Sequence, residues 1–298
     1  MDKKLWIIGC GDIGQRVAKC YFQNKKPKTS ICINAVVRTE LSKNLCEKQG
    51  IKTFLLDLDH LGNKAINFGK QIKDNHLFYF VPPPNTGRTD TRLQQFLASL
   101  SEQPKRIILI STTGVYGDSK GKWINEKAAI KPQAERAYRR LSAEHLLQQW
   151  AQTHKKEYII LRVAGIYAKD RLPLARLKKG LPVVNQAEAG WTNRIHADDL
   201  AMICQLAMES DITNEIYNVT DGHPSTMTDY FNQVADYAGL ERPPQISLQQ
   251  AEEVLSEGML SYLRESRRIS NQKILDQLGV KLQYPNLQQG LKNKTSKK

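Results

Sequence analysis

The residues best suited to chemistry stand near the start of the chain, where the apolar run Leu5 to Ile8 leads directly into Gly9-Cys10-Gly11-Asp12-Ile13-Gly14. A GxGxxG loop between a strand and an amphipathic helix has a physical meaning at each glycine. Gly9 permits the tight turn, Gly11 lets main chain approach a pyrophosphate, and Gly14 lets the helix pack on the strand. The helix start at Asp12 and Ile13 then offers main-chain amides to negative charge. Dinucleotide binding is the chemistry this spacing points to, against the blander alternative of a plain strand-turn-helix. At the end of the second apolar run an NAD-specific site carries an acidic residue for the ribose hydroxyls, but here AVVRT brings Arg38 and Thr39. A planar guanidinium suits a 2′-phosphate, so NADP is the preferred cofactor, with Glu40 keeping NAD open.

These residues need a parallel sheet to position them, and the first half of the chain is written as one. Short β-branched or aromatic runs near Leu5–Ile8, Ile31–Val37, Thr53–Leu56, Leu77–Val81, Arg106–Ile110 and Tyr158–Leu161 alternate with helix-length stretches at Ile13–Gln23, Leu41–Gln49, Leu61–Ile72, Thr91–Leu100 and Gln133–His154. The expected fold class is α/β: a doubly wound Rossmann sheet over residues 1–165, which later strands can complete. After Arg162 the pattern changes to Gly/Pro-containing loops. A helix is expected after Asp198, a strand at Ile216–Val219, and helices near Asp229–Ala238 and Gln250–Arg264. Residues 166–290 therefore read as a smaller carboxy-terminal, substrate-side subdomain, and 291–298 as a basic tail.

Composition narrows the class without assigning a partner. With 298 residues, 40% hydrophobic and 25% charged, the chain can bury a large core. Its apolar runs are strand-sized, which excludes a bilayer span, and the run after Lys3 and Lys4 ends in glycines instead of a signal-peptide cleavage site. Five cysteines without a CxxC pair disfavour a disulfide framework or zinc ribbon and suit the reducing cytoplasm. The net charge of +14 is dispersed, with small clusters at Lys25–Lys28 and in KNKTSKK. No aromatic residues are interleaved with those clusters, so a solvated surface is favoured over nucleic-acid binding.

Farther along, ISTTGVYGD (110–118), NRIHADDLA (193–201) and SNQKILDQLGV (270–280) follow GCGDIG in order. These segments resemble the SSxxVYG, RxxHVDDLA and SNxKLxxxLG landmarks of the extended short-chain dehydrogenase/reductases, the NAD-dependent epimerases and dehydratases. The resemblance is strongest with the atypical branch of YeeZ-like proteins, which also write the first loop as GxGxxG. It implies that Asp57 and Leu58, in LLDLD, line the adenine pocket and that Val81 and Pro82, opening VPPPNTG, border the cofactor ribose. It also puts Ser111 in the cofactor site and Thr112 in place of the active-site serine, with the hydroxyl retained.

One departure bears on chemistry. The family places a tyrosine and, four residues later, a lysine on the next helix, whereas aligning RLSAEHLL puts Arg136 and Arg140 on those positions. The phenol that moves the substrate proton is missing, and an arginine does not release a proton near neutral pH. Tyr138 is a substitute in sequence, but two residues rotate a helical side chain by about 200°, away from Arg136 and Arg140. Tyr116 reads first as a packed loop tyrosine. His196, Asp198 and Asp199 suggest a metal site or dyad, yet Asp198 before an apolar helix reads better as its cap, and no metal-ligand array is expected.

Two functions from different classes remain. The leading one is an NADP-preferring oxidoreductase or epimerase-like enzyme, monomeric or homodimeric, with Thr112, Arg136 and Arg140 at the reacting centre. The resemblance implies a nucleotide-linked or phosphorylated small substrate, such as a sugar nucleotide. The other is a catalytically silent NAD(P)-binding module that regulates a partner, which the absent tyrosine supports. A basic nucleic-acid binder on the same scaffold ranks last.

Overall fold

The computed structural model describes residues 3–23, 31–60 and 72–292. Two compact units compose the chain. One takes the chain up to Val115 together with Pro132–Arg162 and Leu200–Tyr217; the other takes Tyr116–Lys131, Val163–Asp199 and the chain from Asn218 onward.

The first unit is built on β1 (Lys3–Ile8), β2 (Ile31–Val37), β3 (Lys52–Leu55), β4 (His76–Tyr79), β5 (Arg106–Thr112), β6 (Glu157–Val163) and β7 (Glu215–Val219). They form one parallel sheet in the order β7-β6-β5-β4-β1-β2-β3. The strand expected at Ile216–Val219 thus becomes the edge of this sheet. Ile8 pairs with Val36 on one side and Tyr79 on the other, so the chain order reverses around β1. In an open α/β sheet that reversal leaves a crevice beyond the carboxyl ends of the strands.

Leu5 to Ile8 are all buried because helices cover both faces. On one face Trp6, Ile8, Leu77, Tyr79, Ile107 and Leu109 pack with Leu93 and Phe96 of α3 (Thr91–Ala98) and Leu147 and Trp150 of α4 (Glu135–His154). On the other, α1 (Asp12–Gln23) buries Val17, Ala18 and Tyr21, with the Tyr21 and Phe78 rings 6.5 Å apart. Helix α2 (Glu40–Glu47) follows β2, and α5 (Ala197–Glu209) precedes β7. The helix expected over Leu61–Ile72 lies outside the described residues, apart from Ile72 itself.

In the second unit, short strand pairs join Gly165–Tyr167 to Arg194–His196 and Trp191–Thr192 to Ser225–Thr226. The helix Met227–Ala238 packs Tyr230, Phe231 and Val234 against Tyr167, Leu177, Leu287 and Leu291. The stretch expected as one helix over Gln250–Arg264 is two, Leu248–Val254 and Glu257–Leu263, because the Ser256 side chain caps the second by accepting from the Met259 amide. Among the described residues no helix is long and apolar enough to cross a membrane.

Candidate functional site

Beyond the carboxyl ends of β1 to β4, the first unit holds a cleft of about 390 Å³. Gly9, Gly11, Arg38, Thr39, Asp57, Leu58, Val81 and Pro82 all line it, as do Cys10, Ser42, Asp59 and Arg92. Gly9 has φ +86°, and a Cβ there would lie 2.8 Å from both the Val81 amide nitrogen and a Val81 methyl. Its amide donates to the Val36 carbonyl at 2.9 Å, which stitches the turn to the neighbouring strand. A Cβ on Gly14 would meet Ile7 Cγ2 at 3.0 Å and Cys10 Sγ at 3.1 Å, so this residue sets how closely α1 approaches β1. Above Gly11 there is nothing within 4 Å of a Cβ position. Asp12 sits in the first turn of α1 and pairs with Arg16 at 2.8 Å; Asp12, Ile13 and Gly14 lie outside the cleft lining.

The rim of the cleft around Arg38, Asp57 and Asp59 is a charge cluster only partly visible in the sequence. Thr39 caps α2, accepting from the Ser42 amide at 3.3 Å while donating to the Ser42 hydroxyl at 2.9 Å. Arg92, from the first turn of α3, holds both oxygens of Asp59 and donates to the Pro82 carbonyl at 2.9 Å and the Pro83 carbonyl at 3.3 Å. These bonds hold Asp59 below the usual carboxylate range, and the His60 ring, 2.9 Å away, does the same for Asp57. Arg38 stays largely exposed, with Asp59 only 3.8 Å off. Sequence reasoning missed Asp59 and Arg92. The repeated aspartate of LLDLD was a visible signal, whereas Arg92 is 33 residues from its partner.

Of the residues proposed for the reacting centre, Thr112 ends β5 and Arg140 bonds to that strand. The Thr112 hydroxyl accepts from the Gly114 amide at 3.2 Å. Arg140 lies against the sheet and donates from Nη1 to the Ile110 carbonyl at 2.9 Å; burial lowers its pKa, while Asp90 and Tyr79 oppose that shift. Arg136, half-buried, precedes it by one helical turn on α4. Ser111 is turned into the core, its hydroxyl donating to Glu144 at 2.5 Å, and Glu144 in turn accepts from Arg162 at 2.7 Å. Its side chain is therefore committed to a buried network and is absent from the cleft lining.

The alternative phenols are engaged elsewhere. Arg88 lies over the Tyr138 ring at 4.4 Å and donates to Glu135 at 2.9 Å. Tyr116 is buried and donates to Asn218 Oδ1 at 2.8 Å. The histidine segment is structural in a way that differs from the expected cap. The helix begins at Ala197, and the Asp198 amide donates to His196 Nδ1 at 3.2 Å, so the ring does the capping and Asp198 stands inside the first turn. His196 packs 3.8 Å from the Tyr284 ring and 5.2 Å from that of Tyr167, and Asp199 accepts from the Gln283 and Tyr284 amides at 2.8 and 2.9 Å.

Comparison with known proteins agrees with this architecture. Residues 79–220 match the NAD dependent epimerase/dehydratase family. Protein YeeZ of Escherichia coli K12 is 28% identical over 295 residues, covering 95% of this chain and 97% of its own length. A conserved protein of unknown function from Silicibacter pomeroyi superposes with a TM-score of 0.80 at 25% identity, over 97% of this chain and 96% of that one. The Bacillus cereus UDP-glucuronic acid 4-epimerase, solved with UDP-glucuronic acid and NAD, gives a TM-score of 0.73 at 16% identity over 97% of this chain and 96% of that one. Residues 79–220 are thus similar to the NAD dependent epimerase/dehydratase family, and the chain as a whole shares its fold with the Silicibacter pomeroyi and Bacillus cereus proteins.

Proposed function

We propose that the chain is an NAD(P)-dependent oxidoreductase or epimerase/dehydratase-like enzyme of the cytoplasm, acting on a nucleotide-linked or phosphorylated small substrate. The observation that carries this reading is the glycine-walled cleft at the strand ends. The open space over Gly11 suits a diphosphate, which the amides of Asp12 and Ile13 would hold, the Gly11 amide being bound to the Gly9 carbonyl at 2.8 Å within the turn. Asp57 and Leu58 would face the adenine, and Val81 and Pro82 the ribose. Arg38 favours NADP. Its ion-pair neighbour Asp59 is also bound by Arg92, and the exposed guanidinium stands beside the Thr39 and Ser42 hydroxyls, a setting that suits a 2′-phosphate.

A nicotinamide held there supplies hydride chemistry. The chain's own residues then have distinct tasks. Thr112 keeps a lone pair on the Gly114 amide and can donate its proton to a substrate oxygen. Arg140, tethered to β5, contributes a fixed positive charge, while Arg136 can orient an anionic group but cannot act as a general base. The sugar-nucleotide class is supported by the Bacillus cereus enzyme's UDP-glucuronic acid.

The test is titration of the purified chain with NADPH and NADH, before and after Arg38→Ala. Tighter NADPH binding that Arg38→Ala abolishes supports the phosphate role; capture of neither nucleotide overturns the whole reading. The second reading, a silent NAD(P)-binding module, is favoured by the stacking of Tyr138 under Arg88 and the bonding of Tyr116 to Asn218. It predicts nucleotide binding with no turnover across a sugar-nucleotide panel. Turnover that falls in Thr112→Ala and Arg140→Ala selects the enzyme.

A further inference from the structure

The second unit encloses a separate cavity of about 670 Å³, whose walls include Arg194, Asp221, His223, Gln233, Tyr237 and Lys292. We propose that this cavity binds a small oxyanion, the phosphate or carboxylate group of a metabolite, against the buried guanidinium of Arg194.

The case begins with the way Arg194 is held. The residue is 8% exposed, and its guanidinium lies on the Tyr230 ring, 4.1 Å from the centroid. Nη1 donates to the adjoining Asn193 carbonyl at 3.2 Å, Nη2 reaches only the Met227 sulfur at 3.6 Å, and Nε has no partner. Room for the group is built into the chain, since a Cβ on Gly165 would stand 2.9 Å from Nη1. Among the described residues no carboxylate forms an ion pair with it. A buried cation left so is costly, and an oxyanion offering paired acceptors is the group that a planar guanidinium best accepts.

No nearby acid bonds the guanidinium, although Asp221 and Asp229 favour its charge from a distance. Asp236 is held in a two-point pair with Arg242, both bonds 2.8 Å. Asp221 is 3% exposed, accepts from the His223 amide at 2.9 Å through Oδ1, and leaves Oδ2 without a partner. Burial pushes its carboxyl up to about 7, against the opposing pull of His223 and Arg194, so near neutrality much of it is uncharged. Lys292 adds a further cation to the wall. Arg194 and Lys292 thus bring two cations to the wall, and the cavity's size is that of a site for a small metabolite.

The experiment titrates the full chain with inorganic phosphate and, separately, with citrate, against sodium chloride of matched ionic strength, by calorimetry. Saturable binding is expected, and whichever probe binds more tightly identifies the source of the oxyanion. Arg194→Met should weaken it by at least about tenfold. Because that variant also removes the guanidinium packed on Tyr230, Gln233→Trp, which fills the cavity from the neighbouring helix, provides an independent loss of binding. NADPH binding should persist in Gln233→Trp, which separates this site from the nucleotide cleft. No saturable binding beyond chloride, or binding undiminished in Gln233→Trp, would overturn the proposal.

Discussion

At the scale of single residues, the cleft depends on a backbone that only one residue type accepts. Gly9 combines a positive φ with main chain 2.8 Å from where a Cβ would stand, so Gly9→Ala adds left-handed strain to a clash that no side-chain rotation relieves. We expect a loss of at least about 2 kcal/mol in chemical denaturation, with nucleotide binding abolished. An alanine variant of unchanged midpoint would contradict that turn. Asp221 makes a different residue-scale prediction. Its folded pKa is raised, from 3.8 to about 7, so the folded state binds a proton more tightly than the unfolded one. The resulting stabilisation is complete below the unfolded value and is lost as pH rises through about 7, a difference on the order of a few kcal/mol. In phosphate-free buffers the wild type should therefore lose stability relative to Asp221→Asn across that window, and parallel pH profiles would refute it.

At the scale of elements, a buried network joins α4 to the sheet directly under the proposed reacting centre. Glu144, 1% exposed, binds Ser111 of β5 and Arg162 of β6, while Arg140 on the same helix binds the Ile110 carbonyl. Removing the carboxylate strands a buried guanidinium, so Glu144→Ala should cost about 3–5 kcal/mol. The double change Glu144→Leu with Arg162→Met should recover most of that in urea denaturation, and a purely additive loss would count against the pairing. Arg106 serves a related purpose, binding Glu157 at 2.7 Å and the carbonyls of Ala207, Met208 and Ser210 at the end of α5. Element existence was legible in the sequence because buried strands and amphipathic helices keep their periods. The split at Leu255 was not, since a single serine cap ended one helix and began another within an otherwise helical pattern.

At the scale of the whole molecule, chain order and spatial order differ. Each unit draws on separated segments, and the first unit takes most of β7 and most of α5 from residues 200–217. A fragment ending at residue 165 therefore lacks an edge strand and a covering helix, leaving apolar sheet surface bare. It should show no cooperative thermal unfolding and rapid proteolysis, whereas the full chain should unfold cooperatively and gain about 2.7 kcal/mol at nucleotide concentrations 100 times Kd. A cooperatively folding fragment that binds NADPH would show that the later segments are dispensable.

By itself the amino-acid sequence determined the alternation of strands and helices, the glycine turn and the chemical character of Arg38 and Thr39. All of these follow from local sterics, hydrophobic period and side-chain type. Tertiary structure alone decided that Asp59 joins Arg92, that Ser111 faces Glu144, that His196 caps the helix expected of Asp198, and that Arg194 Nε is buried without a hydrogen-bond partner. Pairings between residues distant along the chain are set by how packed elements meet in space, and no local pattern encodes that meeting.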